Sequence, residues 1–217
     1  MPAGDRYVLV GAHLTEADAS VPGVTPLAAG DLFVSGIEVP QKRNLAEREI
    51  VARVAGLRQE LIAKEIFVAI RYGATARDAA GAFEKCAPYL ARWRALLERW
   101  RGRVEVVMRI GGGGAGERPA RADYGSGSAY LRALHAMRHA VPIDTAFVSD
   151  AEVRFGEIAE ATKTIAREDG TIEIAALVAR DRIDAARAMA EELKARRPGV
   201  PFLLSGPWPL EVFADEA

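Results

Sequence analysis

Apolar and polar positions recur along this chain with two periods, and the places where the period changes mark its elements. Residues 6–13 (RYVLVGAH) are β-branched and aromatic enough to predict a strand. Pro22, Gly23, Pro26 and Gly30 punctuate the next stretch as a loop. Residues 31–39 (DLFVSGIEV) predict a second strand, closed by Pro40. A helix follows, with Asn44 as its N-cap and Glu47 in capping-box position. Its apolar stripe is Ala46, Ile50, Val54, Leu57 and Leu61, at spacings of 4, 4, 3 and 4. Residues 66–72 (IFVAIRY) form a buried strand ended by Gly73, and a helical tract runs from about Thr75 to Trp100, with a break near Pro88.

The second half opens on residues 103–110 (RVEVVMRI), a strand, and 111–127 is a glycine-rich loop. Residues 128–140 predict a helix with Leu131, Leu134 and Met137 on one face, broken by Pro142. Short strands are predicted at 144–149 and 171–179, the latter after an Asp169-Gly170 turn. A helix over 181–197 carries Ile183, Ala186, Ala190 and Leu193, and residues 201–205 (PFLLS) predict a last strand. The order is β-α-β-β-α-β, the ferredoxin-like arrangement, after a first half that reads β-β-α-β-α. The expected fold class is therefore α+β, in two small domains of residues 1–101 and 102–217.

Half of the 217 residues are apolar, enough for a real core. The net charge of −1 disfavours a nucleic-acid binder held by phosphate contacts, which needs a basic surplus. Arginine outnumbers lysine, 24 to 5, and guanidinium forks suit bidentate pairing with carboxylates. Cys86 is the single cysteine, so no intrachain disulfide can form. The N-terminal residues lack a signal-peptide pattern, and no apolar run is long enough to span a bilayer, which points to a soluble cytoplasmic protein without membrane partners.

Candidate chemistry is thin. GGGGAG at 111–116 satisfies the spacing of a dinucleotide fingerprint, but Glu117-Arg118-Pro119 follows it where a helix should start, so a surface loop is expected. His135 and His139 share a helix face yet lack a third zinc ligand in sequence, with His13 as the remaining histidine. Cys86 lies in an apolar stripe with nothing beside it to lower its pKa. Glu152, Glu157, Glu160 and Glu211 form no general acid–base spacing. No enzyme, cofactor or metal is expected.

Two features suggest contact with partners. Phe83, Cys86, Leu90, Trp93, Leu97 and Trp100 recur at 3, 4, 3, 4 and 3, a seam that either packs on the protein's own sheet or offers two tryptophans to another protein. In Ser205-Gly206-Pro207-Trp208-Pro209-Leu210, two prolines fix the backbone on either side of Trp208. Trp208 then either pins the tail to the body or is presented to a partner. The candidate partner-binding residues are Trp93, Trp100, Trp208 and Phe213.

The same residues carry a resemblance to the GvpL/GvpF family of gas vesicle proteins. Val68-Ala69-Ile70-Arg71-Tyr72-Gly73-Ala74 is similar to the family's "LPLRFGT" segment, Gly102-Arg103-Val104-Glu105 to its "G-x-V-E" strand, and Gly127 to Leu131 to its "G-x-x-YL" helix start. Tyr7 to Gly11 resembles its opening strand, Ala176-Leu177-Val178 its "YLV" strand, and Ser205 to Phe213 its "SGPWPPYxF" ending, with Leu210 and Glu211 in place of the second proline and the tyrosine. The resemblance implies an N-terminal α+β domain followed by a modified ferredoxin-like one, and no catalytic residues. It implies a minor component or assembly factor of gas vesicles, acting beside the small shell protein and other accessory proteins. A shell that is apolar towards the gas makes its free subunit aggregation-prone, and a soluble partner would mask that surface or help nucleate the first ring. The competing expectation is a ferredoxin-like ligand-binding regulatory protein unrelated to gas vesicles.

Overall fold

The computed structural model describes residues 5–111, 120–139 and 143–215. It is a mixed α+β fold with two antiparallel sheets, divided into two compact units: Met1–Glu105 with Pro207–Ala217, and Val106–Gly206. The sequence division at 101/102 left the tail with the second half; in the structure the chain after Gly206 returns to the first unit.

The first unit is built on a sheet of order β2-β3-β1-β4, with β5 also pairing β1. β1 is Asp5–His13, β2 Thr25–Ala29, β3 Leu32–Pro40, β4 Val68–Ala69 and β5 Thr75–Ala76. The β2 segment was expected to be loop because of its proline. It is an edge strand, where Pro26 needs no ladder partner for the N–H it lacks. The buried strand expected over 66–72 shrinks to two paired residues, though Ile66, Phe67, Val68 and Ile70 are all buried.

Helix α1 spans Arg48–Lys64 and buries Ile50, Val54, Leu57 and Leu61, the predicted stripe without Ala46. The capping box forms one turn before the helix: Glu47 Oε1 accepts the Asn44 N–H at 3.0 Å, and Asn44 Oδ1 accepts that of Ala46. Helix α2 (Ala79–Cys86) is capped by Asp78, and a 3-10 turn at Ala87–Tyr89 separates it from α3 (Leu90–Arg99), placing the break where Pro88 predicts it.

The second unit's sheet has the order β7-β8-β6-β9. Its strands are β6 (Arg103–Ile110), β7 (Ala159–Ala166), β8 (Ile172–Ala179) and β9 (Phe202–Trp208), with helices α4 (Gly127–His139), α5 (Thr145–Ile158) and α6 (Ile183–Arg196). Residues 144–149 are not the expected strand. Asp144 accepts the Phe147 N–H at 3.0 Å and starts α5, whose buried face is Phe147, Val148, Ala151 and Phe155. The cap decides the element here, because it satisfies a donor that a helix start would otherwise leave bare. Asp144→Ala is expected to lower stability by about 1 kcal/mol, read as a lower denaturation midpoint with unchanged slope. The strand sought at 144–149 lies instead at β7, paired antiparallel with β8.

Candidate functional site: a cleft closed by the C-terminal tail

The tail is held by backbone pairing and by one buried carboxylate. Gly206 has φ near +126°, which a side chain would resist, and it lies within β9, which runs on through Pro207 to Trp208. Leu210 then joins the edge of β4. Its N–H donates to Phe67 O at 2.8 Å, and its carbonyl accepts the Ala69 N–H at 3.2 Å, a parallel bridge. Beyond it, Glu105 on β6 is only 1% exposed and receives the N–H groups of Glu211 (3.2 Å), Val212 (3.1 Å) and Phe213 (3.4 Å). Burial drives the Glu105 pKa up to about 7, against the downward pull of those donors. Leu210 and Phe213, both fully buried, supply the apolar grip.

A cleft of about 450 Å³ lies beside this tail. It is lined by β4 and the residues after it, by α3 and by Leu210, Glu211 and Ala214. On one wall Tyr89 and Trp93 stack with ring centroids 5.3 Å apart and planes at 17°. Arg58 reaches from α1, its Nη2 donating to Ile70 O at 2.6 Å and its Nη1 standing 3.6 Å from the Glu211 carboxylate. Arg92 donates to Ala214 O, and the Tyr72 hydroxyl donates to Leu45 O.

The four candidate residues divide between surface and core. Trp93 is half-buried on the cleft wall, and Trp208 keeps 36% of its surface exposed. Trp100 is 5% exposed, under a guanidinium from Arg99 at 4.4 Å, and Phe213 is 1% exposed. The helical seam divides: Cys86, Leu97 and Trp100 are buried, Leu90 and Trp93 are half-buried, and Phe83 is exposed. Sequence reasoning passed over Glu105. Its signal was a carboxylate inside an otherwise apolar strand.

Burial pushes the Cys86 thiol up to about 11, away from the reactive thiolate. His13 is buried, its Nε2 3.0 Å from Ser35 Oγ and its ring stacked on Phe67 at 4.9 Å. Burial holds its pKa down to about 3 from an ordinary 6.5, so it is neutral in the fold. Its contribution to stability is complete above pH 6.5 and is lost progressively as the pH falls towards 3. About 1 kcal/mol should go between pH 6.5 and 5.5 from this group, measurable as the drop in urea midpoint that His13→Gln abolishes. His135 and His139 lie on α4 with side chains outside the described residues, as does most of GGGGAG. Among the described residues no group of three His, Cys, Asp or Glu could hold a metal, and no helix is long and apolar enough to cross a membrane.

The model of the family "Gas vesicle synthesis protein GvpL/GvpF" matches residues 20–214. In fold, the chain is similar to the crystal structure of the gas vesicle protein GvpF from Anabaena sp. PCC7120 (TM-score 0.69, 12% identity, 98% of this chain and 99% of that one). It is similar also to that of GvpF from Microcystis aeruginosa (TM-score 0.70, 11% identity, 98% and 100%). No curated protein matches it in sequence. The family match takes in Arg58, the β4 segment, α3 and the tail to Ala214, which line the cleft, and the chain belongs to the GvpL/GvpF gas vesicle synthesis family.

Proposed function

We propose that this protein is a non-catalytic accessory or minor structural component of gas vesicles. It binds the shell protein in the cytoplasm and supports nucleation and assembly of the vesicle. Membership of the GvpL/GvpF family over residues 20–214 is the observation that carries this reading. The half-exposed Tyr89–Trp93 stack at the cleft and the exposed part of Trp208 are the contact surface, while Trp100 and Phe213 are buried and support the fold. Large rigid aromatics that are partly exposed in the free protein are the side chains on which interfaces concentrate their energy.

The second unit we read as a modified ferredoxin-like domain. Its strands in chain order, β6, β7, β8 and β9, stand third, first, second and fourth across the sheet, and the extra helix α4 precedes α5 in the first crossover.

The test is co-expression with the shell protein of the same source, followed by flotation and size exclusion. The protein should travel with the shell protein, on floating vesicles or in a soluble complex. Trp93→Ala should weaken that association by at least about tenfold, as expected for an aromatic anchor. Absence from both fractions, with vesicle yield unaffected by deletion, would sink the proposal.

A further inference from the structure

The cleft beside the tail carries an excess of positive charge next to its aromatic wall. Its lining holds three guanidinium groups, Arg58, Arg71 and Arg92, against one carboxylate, Glu211. Two of the three are fixed in place. Arg58 is anchored on Ile70 O at 2.6 Å, and Arg92 on Ala214 O. Arg71 is exposed and makes no ion pair with the described residues. Glu211 holds Arg58 loosely: 3.6 Å is longer than a hydrogen bond, and about half of its side chain (53%) faces solvent.

We propose that this cleft receives an acidic segment of a partner protein. A carboxylate of that segment lies between Arg58 and Arg71, and a neighbouring apolar side chain rests on the Tyr89–Trp93 stack. The proposal rests on the partner-binding reading above and adds the chemistry of the partner. Three like charges in one recess repel one another, and a carboxylate relieves that repulsion where water is partly excluded and the field is focused. Guanidinium forks match carboxylates bidentately. Arginine, tyrosine and tryptophan are also the residues in which binding hot spots are enriched, and they make up half of this lining. Glu211 already occupies the position as a loosely bound carboxylate from the chain itself, which marks where the partner's group sits.

The experiment uses the full chain and immobilised overlapping 15-residue peptides covering the shell protein of the same source. Each peptide is paired with a version in which Glu and Asp are replaced by Gln and Asn. One or more acidic peptides should bind, and neutralising them should weaken binding about tenfold. Arg71→Ala should have the same effect. Arg77→Ala, outside the cleft, should have none. Circular dichroism checks that both variants fold, and Arg71→Gln repeats the test should the alanine variant not. Equal binding of charged and neutral peptides would overturn the proposal. So would loss of binding in phosphate that matches the loss in chloride of equal ionic strength with Arg71→Ala unaffected, or capture of a single-stranded oligonucleotide in preference to any peptide. If no peptide binds while the intact shell protein still co-purifies, the acidic-segment proposal fails and the function stands. If neither binds, the function itself fails.

Discussion

Glu105→Ala is expected to release the C-terminal tail and to lower stability by about 3 kcal/mol, because it removes the shared acceptor of three backbone donors. The N–H groups of Glu211, Val212 and Phe213 all point at this carboxylate, and Phe213 and Leu210 are buried beside it. Alanine leaves those donors, one buried and two part-buried, without this acceptor, and a buried donor without a partner costs about 1–3 kcal/mol unless water enters. Partial relief comes from no longer burying a carboxylate, so the net is smaller than the sum. The readouts are the denaturation midpoint and chymotryptic cleavage within residues 207–215, which should become rapid. An unchanged midpoint with a protected tail would refute the role given to Glu105.

Glu105→Gln separates shape from charge. In the folded chain Glu105 holds its proton more tightly than the ordinary value of 4.5, up to about 7. Its favourable contribution is therefore complete below pH 4.5 and is lost as the pH rises through about 7, by up to about 3 kcal/mol. Glutamine keeps one acceptor oxygen and cannot ionise. The variant should gain on the wild type as the pH rises from 4.5 to 8, the opposite direction to the acid loss set by His13. Parallel pH profiles for the two proteins would show that Glu105 keeps an ordinary pKa.

Elements whose signal is local were legible in the sequence. The bounds of β6 coincide with prediction, the break at Pro88 stands as read, and the α1 stripe holds from Ile50 to Leu61 without Ala46. Misreadings arose where tertiary context outweighs local pattern. The Pro26 segment looked like loop, but an edge strand tolerates a missing N–H. The apolar run Ala146-Phe147-Val148 looked like a strand, yet Asp144 caps it as a helix whose buried positions continue to Phe155. β7 alternates between half-buried and exposed positions, but alanine and lysine on its inner side give almost no hydrophobic contrast. The cleft was legible only in pieces. The segments around Tyr72, Glu105 and Trp208 could each be quoted from sequence, but Glu105 meets Val212 across 107 positions, and nothing local encodes that pairing. Trp93 could be assigned to a helix face, while its half-exposure depends on how far Arg92, Tyr89 and the tail cover it.

Gly11→Ala should cost about 3 kcal/mol, although it adds a single methyl group. A Cβ on Gly11 would sit 2.3 Å from Phe67 Cδ2, 2.6 Å from Cε2 and 3.2 Å from Val68 O. No ordinary contact is that short, so the ring must move. It has no room to do so, being fully buried and stacked on His13. The backbone cannot yield easily either. Gly11 pairs with both Ser35 and Ala69, and its carbonyl accepts from Ser35 Oγ at 3.2 Å. Displacing Phe67 also disturbs the carbonyl that receives the Leu210 N–H, so part of the penalty should appear as a looser tail. Gly56→Ala is the matched control. That glycine is exposed within α1 and would meet nothing within 4 Å, so the same methyl group should stabilise by about 0.5–1 kcal/mol. Phe67→Leu should recover part of the Gly11→Ala loss in a double-mutant cycle, because a smaller side chain gives the methyl its space. Additive losses would show that the strain lies in the β1 backbone and not against the ring.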